Sequence, residues 1–189
     1  ILIGDRESAT YGSPSATTTV RESFNWSKAP EPDQCDTTTI DNGDKVVSFT
    51  QDTGEAKVTF STTKSVYSPE TTYSTDTQKV HSIDTGSEVA NANSSLSSQL
   101  NVKGESVTYQ LSFDKSVGDV SFRINDVDYD STVKVYAYDA NGVAVEVDVT
   151  AGGGIQLQNL DGVAGNETGV SLGGSGLDTD PNYSMLVNV

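Results

Sequence analysis

The sequence predicts an all-β protein, an antiparallel β-sandwich of jelly-roll type. Apolar and polar residues alternate with period two through its second half. Turn-forming residues recur about every ten residues, the spacing of short sandwich strands. No segment keeps the 3.6-residue period of an amphipathic helix.

The elements follow in order. Residues 1–44 hold Pro14, Pro30 and Pro32 among Ser, Thr and acids, and read as an irregular arm with at most short edge strands. Residues 45–50 and 56–61 are strands joined by the turn Asp52-Thr53-Gly54-Glu55. A Ser/Thr-rich region at 62–104 is long for a loop and is expected to wrap the sandwich, with a short strand at 79–83. In 106–113, Val107, Tyr109, Leu111 and Phe113 alternate with polar residues. Val120, Phe122 and Ile124 repeat the pattern, as do Val133 and Val135, and then Val143 to Val149. Asp139-Ala140-Asn141-Gly142 marks a hairpin, because Asn-Gly adopts positive φ at little cost. Weaker strands are expected near 155–158, 169–172 and 183–189. Residues 45–189 thus read as one sandwich domain carrying the arm 1–44.

Charge and composition exclude several function classes. The 189 residues include 11 basic and 27 acidic ones, a formal charge of −16. That charge opposes nucleic acid and anionic membranes as partners, and no stretch has the length and apolarity of a membrane-spanning helix. One Cys and one His exclude a Cys/His zinc site and an intrachain disulfide. Asp outnumbers Glu by 18 to 9. Asp suits turns and hard-cation sites, because its short carboxylate stays close to the backbone.

The most informative segment for chemistry is Asn125-Asp126-Val127-Asp128-Tyr129-Asp130. Asp126 and Asp128 share the parity of Val120, Phe122 and Ile124. A strand continued through them would aim two carboxylates at the core, where an unpaired charge is very costly. Either the strand ends or bulges near Asn125, or a cation neutralises the acids. Asn125, Asp126, Asp128 and Asp130 offer the hard oxygens that calcium takes, so calcium is the expected cofactor. The Gly and closing Glu of an EF-hand loop are missing. Second-choice oxygen ligands are Asp139 and Asn141 in the hairpin turn, and Asp41, Asn42 and Asp44, where turn chemistry also accounts for the residue types.

His81 comes with no nucleophile motif, and the Gly152–Gly154 and Gly173–Gly176 runs lack the Lys and strand–helix context of phosphate loops and read as flexible turns. No pair of carboxylates is marked out for glycosidase chemistry. A non-catalytic role is therefore expected. Tyr136 and Tyr138 are out of phase with Val133, Val135 and Ala137, so they stand together on an outer sheet face. With Trp26 they form the alternative reading, a carbohydrate-binding module; cross-strand packing is the plainer account of the same rings. Cys35 is a free thiol or an intermolecular bridge.

Residues 118–128 (GDVSFRINDVD) and 133–143 (VKVYAYDANGV) resemble a jelly-roll-like domain that recurs in large secreted RTX-type and Hint-containing proteins of marine alphaproteobacteria. The opening ILIGD, residues 13–19 and residues 93–96 are similar as well. The resemblance implies secretion, or display at the cell surface, and a structural or adhesive role in a calcium-rich extracellular setting. The nonapeptide calcium repeats of RTX proteins are absent from this sequence. Self-association, or pairing with neighbouring domains, is expected through edge strands at Ile1–Gly4 and at the run Tyr183–Val189.

Overall fold

The computed structural model describes residues 2–4, in backbone only, together with 20–32, 39–76 and 94–189. The strand expected at 79–83, His81 and Cys35 lie outside the described residues. In chain order the strands are β1 (Leu2–Gly4), β2 (Glu22–Ser23), β3 (Ser48–Asp52), β4 (Lys57–Lys64), β5 (Thr72–Ser74), β6 (Ser95–Ser97) and β7 (Val107–Phe113). They continue as β8 (Gly118–Ile124), β9 (Thr132–Lys134), β10 (Ala137–Tyr138), β11 (Ala144–Val145), β12 (Asp148–Ala151), β13 (Ile155–Gln158), β14 (Thr168–Ser171) and β15 (Met185–Asn188). Among the described residues the only helices are single 3₁₀ turns at Trp26–Lys28 and Pro181–Tyr183. The protein is all-β, and the strand pairs β1–β8, β10–β11, β12–β15, β15–β8 and β4–β7 run antiparallel.

The chain forms two compact units. One comprises residues 1–22, 78–89 and 116–189, and the other 23–77 and 90–115. In the first, a five-stranded sheet of order β12-β15-β8-β1-β2 and a three-stranded sheet of order β13-β14-β9 share one apolar cluster. Phe122 of β8, Val149 of β12 and Met185 and Val187 of β15 meet Val133 of β9 and Ile155 and Leu157 of β13. Two antiparallel sheets filling one core between their faces make a sandwich. The expected run at 143–149 divides into β11 and β12. Ala137 pairs with Val145 and Tyr138 with Ala144 across the hairpin placed at Asn141-Gly142.

β15 is an inner strand. It pairs with β12 on one side and β8 on the other, and Val120 and Val189 exchange backbone bonds of 2.9 Å. Met185, Leu186 and Val187 are all buried, on both faces. Leu2 and Gly4 pair with Ser121 and Gly118 of β8. This corrects the expectation that the N-terminal strand lacks a partner and that Tyr183–Val189 is an open edge: Leu2–Gly4 pairs with β8, and the continuous apolar run of β15 marks a strand covered on both sides.

The second unit carries the sheet β3-β4-β7 and the pair β5-β6. The turn between β3 and β4 is held by Thr53 N donating to Ala56 O at 2.9 Å and Gly54 N to Asp52 Oδ1 at 3.0 Å. Its core is aromatic. Phe24 stacks on Phe49 with ring centroids 5.1 Å apart, and Trp26 meets Phe24 and Phe60 edge-on at 4.9 and 5.0 Å. Phe24, Ala29 and Ile40, all within the expected arm, are buried in this unit. Asn25 anchors the segment: its N–H donates to Gln51 Oε1 at 3.0 Å, and its Oδ1 caps the 3₁₀ turn by accepting from Ser27 N at 3.0 Å.

Candidate functional site

The acids after β8 sit on a loop that solves the parity problem by leaving the strand. β8 ends at Ile124, and Asp126 adopts left-handed backbone with φ 59°. Asp tolerates that region better than most residues, because its short side chain can bond locally. The change resets the alternation. Val127, 2% exposed, enters the core, and Asp126 stays exposed. Tyr129, at φ 47°, is left-handed too. Between them Asp128 is 7% exposed, and its Oδ2 accepts from Gly176 N at 3.3 Å.

The loop is fastened to the segment 173–183. Val127 N donates to Tyr183 O at 2.8 Å, and Tyr129 N donates to Gly174 O at 2.7 Å. The second glycine run is thereby more than a flexible turn. Gly174 has φ 94°, and a Cβ there would lie 2.3 Å from the Tyr183 hydroxyl oxygen. Only glycine fits both the backbone and the space.

Partial withdrawal from water pushes the Asp126 carboxyl above its ordinary range, and the charges of Asp128 and Asp178 push the same way. The structure thus sets Asp178 among the expected acids, 50 positions beyond Asp128 in sequence. No local spacing signals it; only the fastening of the two loops does. Asp130 is exposed and Asn125 half-buried.

Asp139 and Asn141 are occupied by their turn. Asp139 Oδ1 accepts from Asn141 N and Val143 N, both at 2.8 Å, and those bonds hold its carboxyl below the usual range.

Asp41 and Asp44 belong to a tighter group. Among the described residues, Glu31, Asp41 and Asp44 each place a carboxylate oxygen within 4.8 Å of the others. Asp41 N donates to Asp44 Oδ2 at 2.7 Å. The turn is tied to β5 by Gly43 N on Tyr73 O and Tyr73 N on Asp44 O, both 2.8 Å. Asn42 turns elsewhere, its Oδ1 accepting from Thr75 N at 3.0 Å. Glu31, between Pro30 and Pro32, reads in sequence as part of an irregular arm, and its place in the group comes from the tertiary fold.

The aromatic residues divide. Trp26 is half-buried and engaged by Phe24, Phe49 and Phe60. Tyr136 and Tyr138 are 51% and 63% exposed, while Val133, Val135 and Ala137 join the core. Comparison of the chain with family models, curated proteins and solved structures finds no match.

Proposed function

We propose that the chain is a non-catalytic structural or adhesive module of a larger secreted or surface assembly, working extracellularly and stabilised by calcium. Its sandwich would be of the jelly-roll type that the resemblance of residues 118–143 implies. The observation that carries the cation is the convergence of Glu31, Asp41 and Asp44, oxygens all within 4.8 Å. Hard carboxylate oxygens at that spacing suit calcium, whose ligands lie about 2.3–2.6 Å from the ion. The loop of Asp126, Asp128 and Asp178 is the second place where a cation would relieve repulsion between acids.

Melting in calcium and in excess chelator tests this. A cation that binds only the folded form at about a hundred times its dissociation constant adds about 2.7 kcal/mol. The midpoint should rise in calcium, and Asp41→Asn should remove most of the gain. Equal midpoints in the two buffers would overturn the reading.

The alternative, a glycan-binding module, is favoured by the exposure of Tyr136 and Tyr138, two residues apart in sequence. Selective binding on a glycan array, lost in Tyr136→Ala with the fold intact, would support it. An array without hits would leave the structural role.

A further inference from the structure

Among the described residues, β7 is a terminal strand of its sheet in the second unit. Its ladder with β4 runs from Lys64↔Val107 to Val58↔Phe113. Ser65 N donates to Ser106 O beyond one end, and Asp114 N to Lys57 O beyond the other. In an antiparallel ladder bonded pairs alternate with unbonded ones. The even residues of β7 therefore bond to β4, and Val107, Tyr109, Leu111 and Phe113 turn their N–H and C=O groups outward.

β7 ends one side of the sheet β3-β4-β7, and those outward groups meet no further strand among the described residues. The edge lacks the usual safeguards against pairing. Val107-Thr108-Tyr109-Gln110-Leu111-Ser112-Phe113 has no charge, no Pro and no Gly. The other edge of the sheet, β3, has the side chain of Gln51 bonded to the backbone of Ser23 and Asn25 beside it.

We infer that β7 pairs antiparallel with β7 of a second copy of this chain about a two-fold axis through Gln110. The sequence around the strand is self-complementary in that register. Val107 meets Phe113 of the other copy and Tyr109 meets Leu111, so all four outward residues find bonded partners. Gln110 faces its own equivalent across an unbonded pair, and Thr108 faces Ser112. Just beyond the strand, Glu105 comes opposite Lys115 at both ends. Glu105 is half-buried and its Oε2 already accepts from Asn101 N and Val102 N, so these opposite charges steer register and orientation more than they add strength. The pairing is isologous and closes, joining two three-stranded sheets into one of six.

It also covers the inner row of β7. Leu111 and Phe113 share the face of Phe60 and Val58, their partners on β4, yet remain only half-buried, with no strand beyond them among the described residues. Tyr109 is partly exposed although its ring lies 5.8 Å from that of Phe60. The net charge of −16 opposes association, so salt should strengthen it.

The inference gives the structural role a partner, but it does not depend on calcium, and the experiment is run in chelator to separate the two. Sedimentation of the full chain across concentration and ionic strength should show a reversible dimer that tightens with salt. Gln110 is exposed, so Gln110→Lys should leave the fold intact. It sets like charges face to face on the axis and should weaken the dimer about tenfold or more. In a Cys35→Ser background, oxidised Gln110→Cys should yield a dimer linked between the two residues 110. Thr108→Cys should not, because its equivalents lie four positions apart along the strands, about 13 Å, beyond disulfide reach. A monomer under all conditions would overturn the inference. So would a dimer indifferent to Gln110→Lys, or one in which Thr108→Cys links as readily as Gln110→Cys.

Discussion

The two compact units reach a dry interior by different means. The first fills its cluster with small aliphatic side chains, Val127, Val147, Val149, Ile155 and Val187 with Met185 among them, contributed mainly by regularly alternating strands. The second stacks a few large rings, Phe24, Trp26, Phe49 and Phe60, two of them from a segment with no regular pattern. Many small contributors leave a periodic trace in the sequence. A few aromatic residues do not, because one ring buries as much surface as several methyl-bearing chains wherever the backbone places it. The difference also concentrates stability, since each ring of the aromatic core has more buried surface to lose than a valine.

The largest expected effect tests that contrast. Phe60 and Met185 are both fully buried, one in each unit. Phe60→Ala should cost about 3–5 kcal/mol, and Met185→Ala about 2–5 kcal/mol, as the lost transfer energy adds to the cavity left behind. Urea unfolding measures the cost. Hydrogen exchange should show the greater loss of protection in β3, β4 and β7 for the first variant, and in β8, β12 and β15 for the second. Equal losses across all six strands for both variants would mean that the two cores fail as one.

A middle-sized effect separates the loops that carry the acids. Gly174→Ala forces a side chain into left-handed backbone and against the Tyr183 hydroxyl. It should cost about 1–3 kcal/mol. Gly43→Ala at φ 95° meets nothing within 4 Å, so only backbone strain remains and the loss should be about 1 kcal/mol. Thermal melts of the two variants side by side are the measurement. An equal loss would mean that crowding around Tyr183 is relieved by local movement.

This asymmetry explains what the sequence could reveal. The strands of the second half, the Asn141-Gly142 hairpin and the outward pair Tyr136 and Tyr138 were legible because period two and turn chemistry are local. The burial of Phe24, Ala29 and Ile40 was not, since it comes from tertiary contacts such as Phe24 on Phe49 and Asn25 on Gln51, between residues distant in sequence. The role of Tyr183–Val189 was misjudged for a related reason: an apolar run tells how buried a strand is, and says nothing of which neighbours bury it. The same limit hid Asp178 and Glu31. Asp178 approaches because its loop is fastened to that of Asp126 and Asp128, and Glu31 meets Asp41 and Asp44 only in the folded chain; local spacing carries no mark of either.

The smallest effect bears on the acids themselves, and its sign is the informative part. The Asp126 carboxyl titrates above its ordinary range because it is partly withdrawn from water and faces Asp128 and Asp178. The folded form therefore takes up a proton more readily than the unfolded chain does. The charged Asp126 weakens the fold fully above its raised pKa, and this penalty disappears as pH falls below the unfolded value of about 4. Asp126→Asn removes the charge and keeps a residue that accepts left-handed backbone. In chelator at neutral pH the variant should be more stable, by about half a kcal/mol for so exposed a group. Near pH 3.5 the advantage should shrink to little, since the wild-type carboxyl is then mostly protonated in both states. Saturating calcium should reverse the order if this loop holds the ion, because the amide is the poorer ligand. Urea unfolding in those three conditions decides it. A variant that is less stable in chelator at neutral pH would show that Asp126 is held by favourable contacts, and the loop would then be a structural turn like that of Asp139.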